Sequence, residues 1–109
     1  MIPIQDFKDL EDAIQNSYAK PSLIFKHSTR CPISAMAFSR VKSGLDKVRD
    51  VSNVYYLDII KLRDISNEVA QRFEVTHESP QVLLIRNGKC IYHTSHNAIS
   101  PSGIIAAAL

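Results

Sequence analysis

The stretch Ser22-Leu23-Ile24-Phe25-Lys26-His27-Ser28-Thr29-Arg30-Cys31-Pro32-Ile33-Ser34 carries the reading from which the rest of the chain follows. Its first six residues form a short apolar run of strand length, and Pro21 ends the connection before them. Thr29-Arg30-Cys31-Pro32 reads as a turn feeding a helix, because proline is favoured at the first helical position, where its missing N–H costs nothing. Cys31 therefore falls at the N-cap. The helix runs on with Ala37, Val41, Leu45 and Val48 on one face to about residue 49, with Gly44 a mild weakness and not a break. The pattern is strand, turn and helix, with a thiol at the joint.

Before this stretch, Asp6 can cap a helix over residues 6–18, in which Phe7, Leu10, Ala13, Ile14 and Tyr18 recur at helical spacing. A short leading strand at residues 2–4 fits ahead of it. After it, residues 54–59 have the β-branched and aromatic content of a buried strand, where Tyr55 and Tyr56 read as packing residues. Leu62, Ile65, Val69 and Phe73 then space out one buried helical stripe, and residues 76–80 form a loop. Residues 81–86 and 89–94 read as strands around Asn87-Gly88, the strongest hairpin signal in the chain. Ser100 and Pro101 start a last helix over residues 102–109. Alternating strands and helices in the first half imply parallel pairing through crossovers, and the final hairpin adds antiparallel strands. The expectation is one α/β domain over residues 1–109, a mixed central sheet with helices on both faces.

Bulk properties narrow the function. A formal charge of +2, from scattered Lys and Arg, offers no basic stripe for nucleic acid. No apolar run approaches the roughly 18 residues of a membrane span, and the N-terminus lacks the pattern of a signal peptide. Two cysteines, Cys31 and Cys90, are too few and too far apart for a disulfide framework, so a reducing cytoplasm is expected. His27, His77, His93 and His96 show no zinc-ligand spacing with them, so no metal is expected and the histidines read as solvated or locally bonded.

The chemistry concentrates at Cys31. The first turn of a helix has unpaired N–H groups and a partial positive charge, which stabilise a thiolate relative to the thiol. Arg30 and His27 are placed to add positive potential. The thiolate is the nucleophile of disulfide exchange; the other reading is a small core residue. Ser34, three residues on, stands where a two-cysteine oxidoreductase carries its resolving thiol, and it can offer a hydroxyl but no disulfide. It reads either as a donor to the thiolate or as a first-turn residue satisfying backbone donors. Cys90, mid-strand, reads as a packed thiol or a secondary redox thiol.

These residues resemble the thioredoxin superfamily over almost the whole chain. The stretch Val75-Thr76-His77-Glu78-Ser79-Pro80-Gln81, the following strand and the Asn87-Gly88 turn are similar to the thioredoxin segment whose proline is cis and faces the active cysteine. The resemblance implies a cis Pro80 beside Cys31, with the backbone of Ser79 free to pair with an extended substrate or a thiol. More narrowly, Thr29-Arg30-Cys31-Pro32-Ile33-Ser34 resembles the T-x-C-P-I-S segment of the YtxJ-like monothiol bacilliredoxins of Gram-positive bacteria. Monothiol glutaredoxins carry glycine after the cysteine instead.

That resemblance implies an enzyme that removes bacillithiol from S-bacillithiolated client proteins. It carries no bound cofactor, uses bacillithiol as co-substrate, and relies on a flavoprotein reductase to recycle bacillithiol disulfide. Cys31 is then catalytic and Pro32, Ser34 and Pro80 supporting. Thr29, Arg30 and Ser79 contact the thiol, with Arg30 the partner for its malate carboxylates. Two departures from thioredoxin matter: the second active-site cysteine is missing, and Phe25 stands where thioredoxins bury an acid. An iron–sulfur carrier of the monothiol glutaredoxin kind and a non-catalytic binding module are the competing readings.

Overall fold

The structure is a computed structural model that describes residues 1–109. In chain order its elements are β1 (Ile2–Pro3), α1 (Phe7–Asn16), β2 (Ser22–His27), α2 (Pro32–Ser43), α3 (Leu45–Val51) and β3 (Asn53–Asp58). They continue with α4 (Arg63–Phe73), β4 (Gln81–Arg86), β5 (Lys89–Ser95), a 3-10 turn (His96–Ala98) and α5 (Pro101–Ala108). The five strands form one sheet in the order β1-β3-β2-β4-β5. β1, β3 and β2 run parallel; β4 is antiparallel to β2, and β5 to β4.

β2 lies at the centre of the sheet and is buried along its whole length. Successive strand side chains point to opposite faces, so β2 feeds two cores. Leu23 and Phe25 join Ala37, Val41, Val48, Val54, Val82, Leu84 and Ile104 under α2, α3 and α5. Ile24 joins Leu10, Ala13, Tyr55, Leu57, Ile65, Val69 and Leu83 under α1 and α4. Each buried branched side chain here contributes about 1.5–3 kcal/mol of transfer free energy. This is the mixed sheet with helices on both faces that the sequence predicts.

Local chemistry sets the ends of the helices. The Asp6 carboxylate accepts from Asp9 N–H and starts α1; Ser100 Oγ accepts from Gly103 N–H and starts α5, with Pro101 next. The hairpin turns at Asn87 and Gly88, both with positive φ (53° and 76°), the conformation a two-residue hairpin loop requires.

One expectation fails. The helix after Cys31 is not continuous to residue 49: it stops at Ser43, and α3 begins at Leu45. A Cβ on Gly44 would lie 2.6 Å from Pro101 Cβ, so the start of α5 presses directly on the backbone there. The break is a packing effect from a residue distant in sequence, invisible to helix propensity. The 3-10 turn at His96–Ala98 is likewise absent from the sequence reading, and β1 is one residue shorter than expected, although Ile4 N–H still donates to Tyr56 O at 2.8 Å.

Candidate functional site

The pairing register brings the candidate residues to one end of the sheet. His27 ends β2 opposite Asp58, the end of β3, and Lys26 pairs with Gln81, the start of β4. Cys31 follows the end of β2, and Ser79 and Pro80 precede the start of β4. They therefore share the same sheet edge. The Ser79–Pro80 peptide is cis.

Cys31 is the N-cap of α2, with extended backbone (φ −107°, ψ 117°) and Pro32 as the first helical residue. Its side chain makes no capping bond and is partly exposed. Its backbone is anchored on both sides: its N–H donates to Ser28 O at 3.2 Å, and its carbonyl accepts from Ala35 N–H at 3.0 Å. Cys31 thus stands at the N-terminal end of α2, the end of a helix at which negative charge is favoured. Cys31 lines none of the four surface clefts.

Ser34 is buried and faces away from this role. Its Oγ accepts from Ser28 N–H at 3.1 Å and lies 2.6 Å from His27 Nδ1; no hydrogen bond joins it to Cys31. The hydroxyl ties the first turn of α2 to the end of β2. Of the two readings open for Ser34, the geometry displays the one in which it satisfies a backbone donor.

His27 also departs from expectation. Its ring stacks on Phe38 (centroids 4.9 Å apart, planes 23° apart) and touches Phe25 and Tyr56. Burial lowers its pKa below the ordinary histidine value, and the nearby Asp58 offsets this only partly. The imidazole is therefore neutral near pH 7 and adds no positive potential to Cys31. Apolar packing outweighs the expected charge.

Thr29 and Arg30 are exposed, and neither side chain is engaged by the rest of the chain. Both remain available to a ligand. Ser79 is partly buried; its Oγ has no partner, and no internal hydrogen bond engages its backbone N–H or C=O. Pro80 is buried, and its carbonyl accepts from His96 N–H at 3.0 Å. Arg40 of α2 in turn donates to His96 O (2.9 Å) and Ile99 O (3.1 Å), clamping the 3-10 turn beside the proline.

Cys90 lies elsewhere. It pairs with Ile85, which pairs with Ser22 at the far end of β2, five residues from His27. At about 3.3 Å per residue, that is about 17 Å from the Cys31 edge. It also packs on the α1 and α4 side, opposite α2. A disulfide needs Cα atoms within about 7 Å, so Cys90 cannot resolve Cys31 within one chain. Burial pushes the Cys90 thiol up, and its S–H donates to Tyr92 O at 3.4 Å.

The sequence reading missed Lys26 and Arg40. A lysine inside an otherwise apolar strand was the available signal for the first. Nothing local marked the second.

Comparison with known proteins agrees with this geometry. A candidate oxidoreductase with a thioredoxin fold is 32% identical, with a TM-score of 0.88 over 99% of this chain and 93% of that one. The thioredoxin of Fasciola hepatica superposes over the whole of both chains with a TM-score of 0.76 at 19% identity. The Malassezia sympodialis thioredoxin covers 99% of this chain and 88% of its own, with a TM-score of 0.77 at 19% identity. The last two show the thioredoxin fold alone. Residues 2–104 match the family described as "Monothiol bacilliredoxin BrxC", and the chain belongs to that family.

Proposed function

We propose that the protein removes bacillithiol from S-bacillithiolated client proteins in the cytoplasm, with Cys31 as its one working thiol. The observation that carries this reading is the isolation of Cys31. It is a partly exposed sulfur at a helix start, with a serine three residues on and its only other cysteine beyond reach. Such a site can take over a small thiol but cannot form an internal disulfide.

In the first step the Cys31 thiolate attacks the bacillithiol sulfur of the client's mixed disulfide. A new S–S bond forms on Cys31, the old one breaks, and the client cysteine leaves as thiolate. In the second step a free bacillithiol thiolate attacks the bacillithiol sulfur held on Cys31. Bacillithiol disulfide departs, and the Cys31 thiolate returns. The exchange conserves one disulfide: the client thiol is restored as the free bacillithiol is oxidised, and a separate flavoprotein reductase then spends two electrons from NAD(P)H to return bacillithiol disulfide to two thiols.

The chain's own residues support each stage. The start of α2 holds Cys31 at the surface with its side chain uncommitted to a capping bond. Pro32 fixes the turn without adding an unpaired donor. The free N–H and C=O of Ser79 suit an extended client segment, which pairs as an added strand and presents its sulfur to Cys31. Arg30 offers a two-pronged donor for the malate carboxylates of bacillithiol.

Mass spectrometry after incubation with bacillithiol disulfide tests this. The expected result is one bacillithiol on Cys31, none on Cys90, removed by excess bacillithiol. Modification of Cys90 alone, or no adduct, overturns the reading.

A further inference from the structure

Lys26 is the fifth residue of a fully buried strand and is itself completely buried. No carboxylate pairs with it. A buried ammonium without a counter-charge is costly and persists only with good hydrogen bonds. Lys26 Nζ has two acceptors, Ser66 O of α4 at 3.2 Å and His77 Nδ1 at 3.2 Å. Ser66 Oγ lies 3.3 Å from the same ring nitrogen.

An ammonium can only donate, so His77 Nδ1 must keep its lone pair and the ring proton must sit on Nε2. The surroundings agree. Burial disfavours a charged His77, the Lys26 and Arg63 charges add to that, and only Glu78 opposes. Desolvation likewise pulls Lys26 from 10.5 to about 8. Three elements therefore meet at one nitrogen: central strand, α4, and the loop that leads to the cis proline. Ser79, with its unengaged backbone, is two residues beyond His77. Gln81 Nε2 donates to Thr76 O at 3.1 Å and holds the other end of the loop.

We propose that Lys26 is a positioning residue that pins His77 to α4 and so orients the Ser79 backbone for an extended client carrying the mixed disulfide. The inference rests on the exchange reading of Cys31. Lys26 touches no reacting atom; it acts on client binding. Cys31 stands at the start of α2, which packs on the other face of the sheet from α4, so client binding and thiol reactivity are separable.

Two variants test it, each in the full chain. Lys26→Met removes the donors and keeps an unbranched side chain of similar volume. His77→Phe removes the acceptor at an exposed position. Backbone 15N order parameters of residues 77–79, measured by NMR relaxation, are expected to fall from about 0.85 to below about 0.6 in both. KM for an S-bacillithiolated peptide should rise about fivefold or more, with kcat and the rate of Cys31 alkylation by iodoacetamide within about twofold. Unchanged order parameters and unchanged KM in both variants overturn the proposal, as does a loss confined to kcat. Backbone relaxation needs no turnover, so it decides the loop tether even if the wild-type protein proves inert toward the peptide. That inertness would instead strike the exchange reading.

Discussion

Removing the Ser34 hydroxyl is the perturbation whose outcome the geometry specifies most fully. Ser34 Oγ serves two partners, the Ser28 N–H at 3.1 Å and His27 Nδ1 at 2.6 Å, and alanine strands both. A buried polar group left without a partner costs about 1–3 kcal/mol. Ser28 is only partly buried and can recruit water, so its share falls near about 1 kcal/mol. His27 is 7% exposed and enclosed by Phe25, Phe38 and Tyr56, so its share lies near the middle of the range. Ser34→Ala should therefore lower stability by about 2–4 kcal/mol, or about 10–20 °C in Tm for a domain of this size.

Urea titration followed by far-ultraviolet circular dichroism measures this, with an unchanged m-value expected because no extra surface is exposed in either state. A double-mutant cycle with His27→Phe isolates the pair. Phenylalanine keeps the stack on Phe38 and discards the ring nitrogen, so the double variant should cost at least about 1 kcal/mol less than the sum of the singles. In the folded Ser34→Ala protein, kcat should stay within about threefold, because the hydroxyl makes no bond to Cys31. A loss below about 0.5 kcal/mol, or strict additivity with His27→Phe, would refute the reasoning.

Other outcomes follow from the same structure. Gly44→Ala forces a Cβ to within 2.6 Å of Pro101 Cβ and should cost about 1–3 kcal/mol in chemical denaturation, against a gain if helix propensity alone governed the site. Cys90→Ala should leave exchange activity unchanged, since Cys90 lies at the opposite end and face of the sheet; a clear loss of turnover would place it in the mechanism. The pH dependence of stability has a definite sign at Lys26. Its folded value near 8 is below its ordinary 10.5, so the unfolded chain binds the extra proton between those limits. The stability of the wild-type protein relative to Lys26→Met should therefore rise from pH 8 toward pH 10.5 and be flat below; a fall over that window would contradict the burial of the charged amine.

How much of this was legible in the sequence varies with the range of the interactions. β2, the N-cap at Cys31 and the Asn87-Gly88 turn rest on neighbours a few residues apart, where periodicity, Pro32 and the turn dipeptide speak directly. The break at Gly44 depends on Pro101, the clamp of Arg40 on His96 and Ile99, and the Lys26–His77 contact on a loop 51 residues away. No local pattern encodes such contacts. The Ser34–His27 bond spans only seven residues. The sequence nonetheless leaves two readings of Ser34 open, because it shows a serine near a cysteine and not which way the hydroxyl turns.

The most direct measurement is a single turnover between reduced Cys90→Ala protein and an S-bacillithiolated client peptide, quenched with acid and weighed intact. The account predicts that one bacillithiol appears on Cys31 as one client thiol is released, in equal amounts and at equal rates. Release of client thiol without a Cys31 adduct, or no transfer at all, would contradict it.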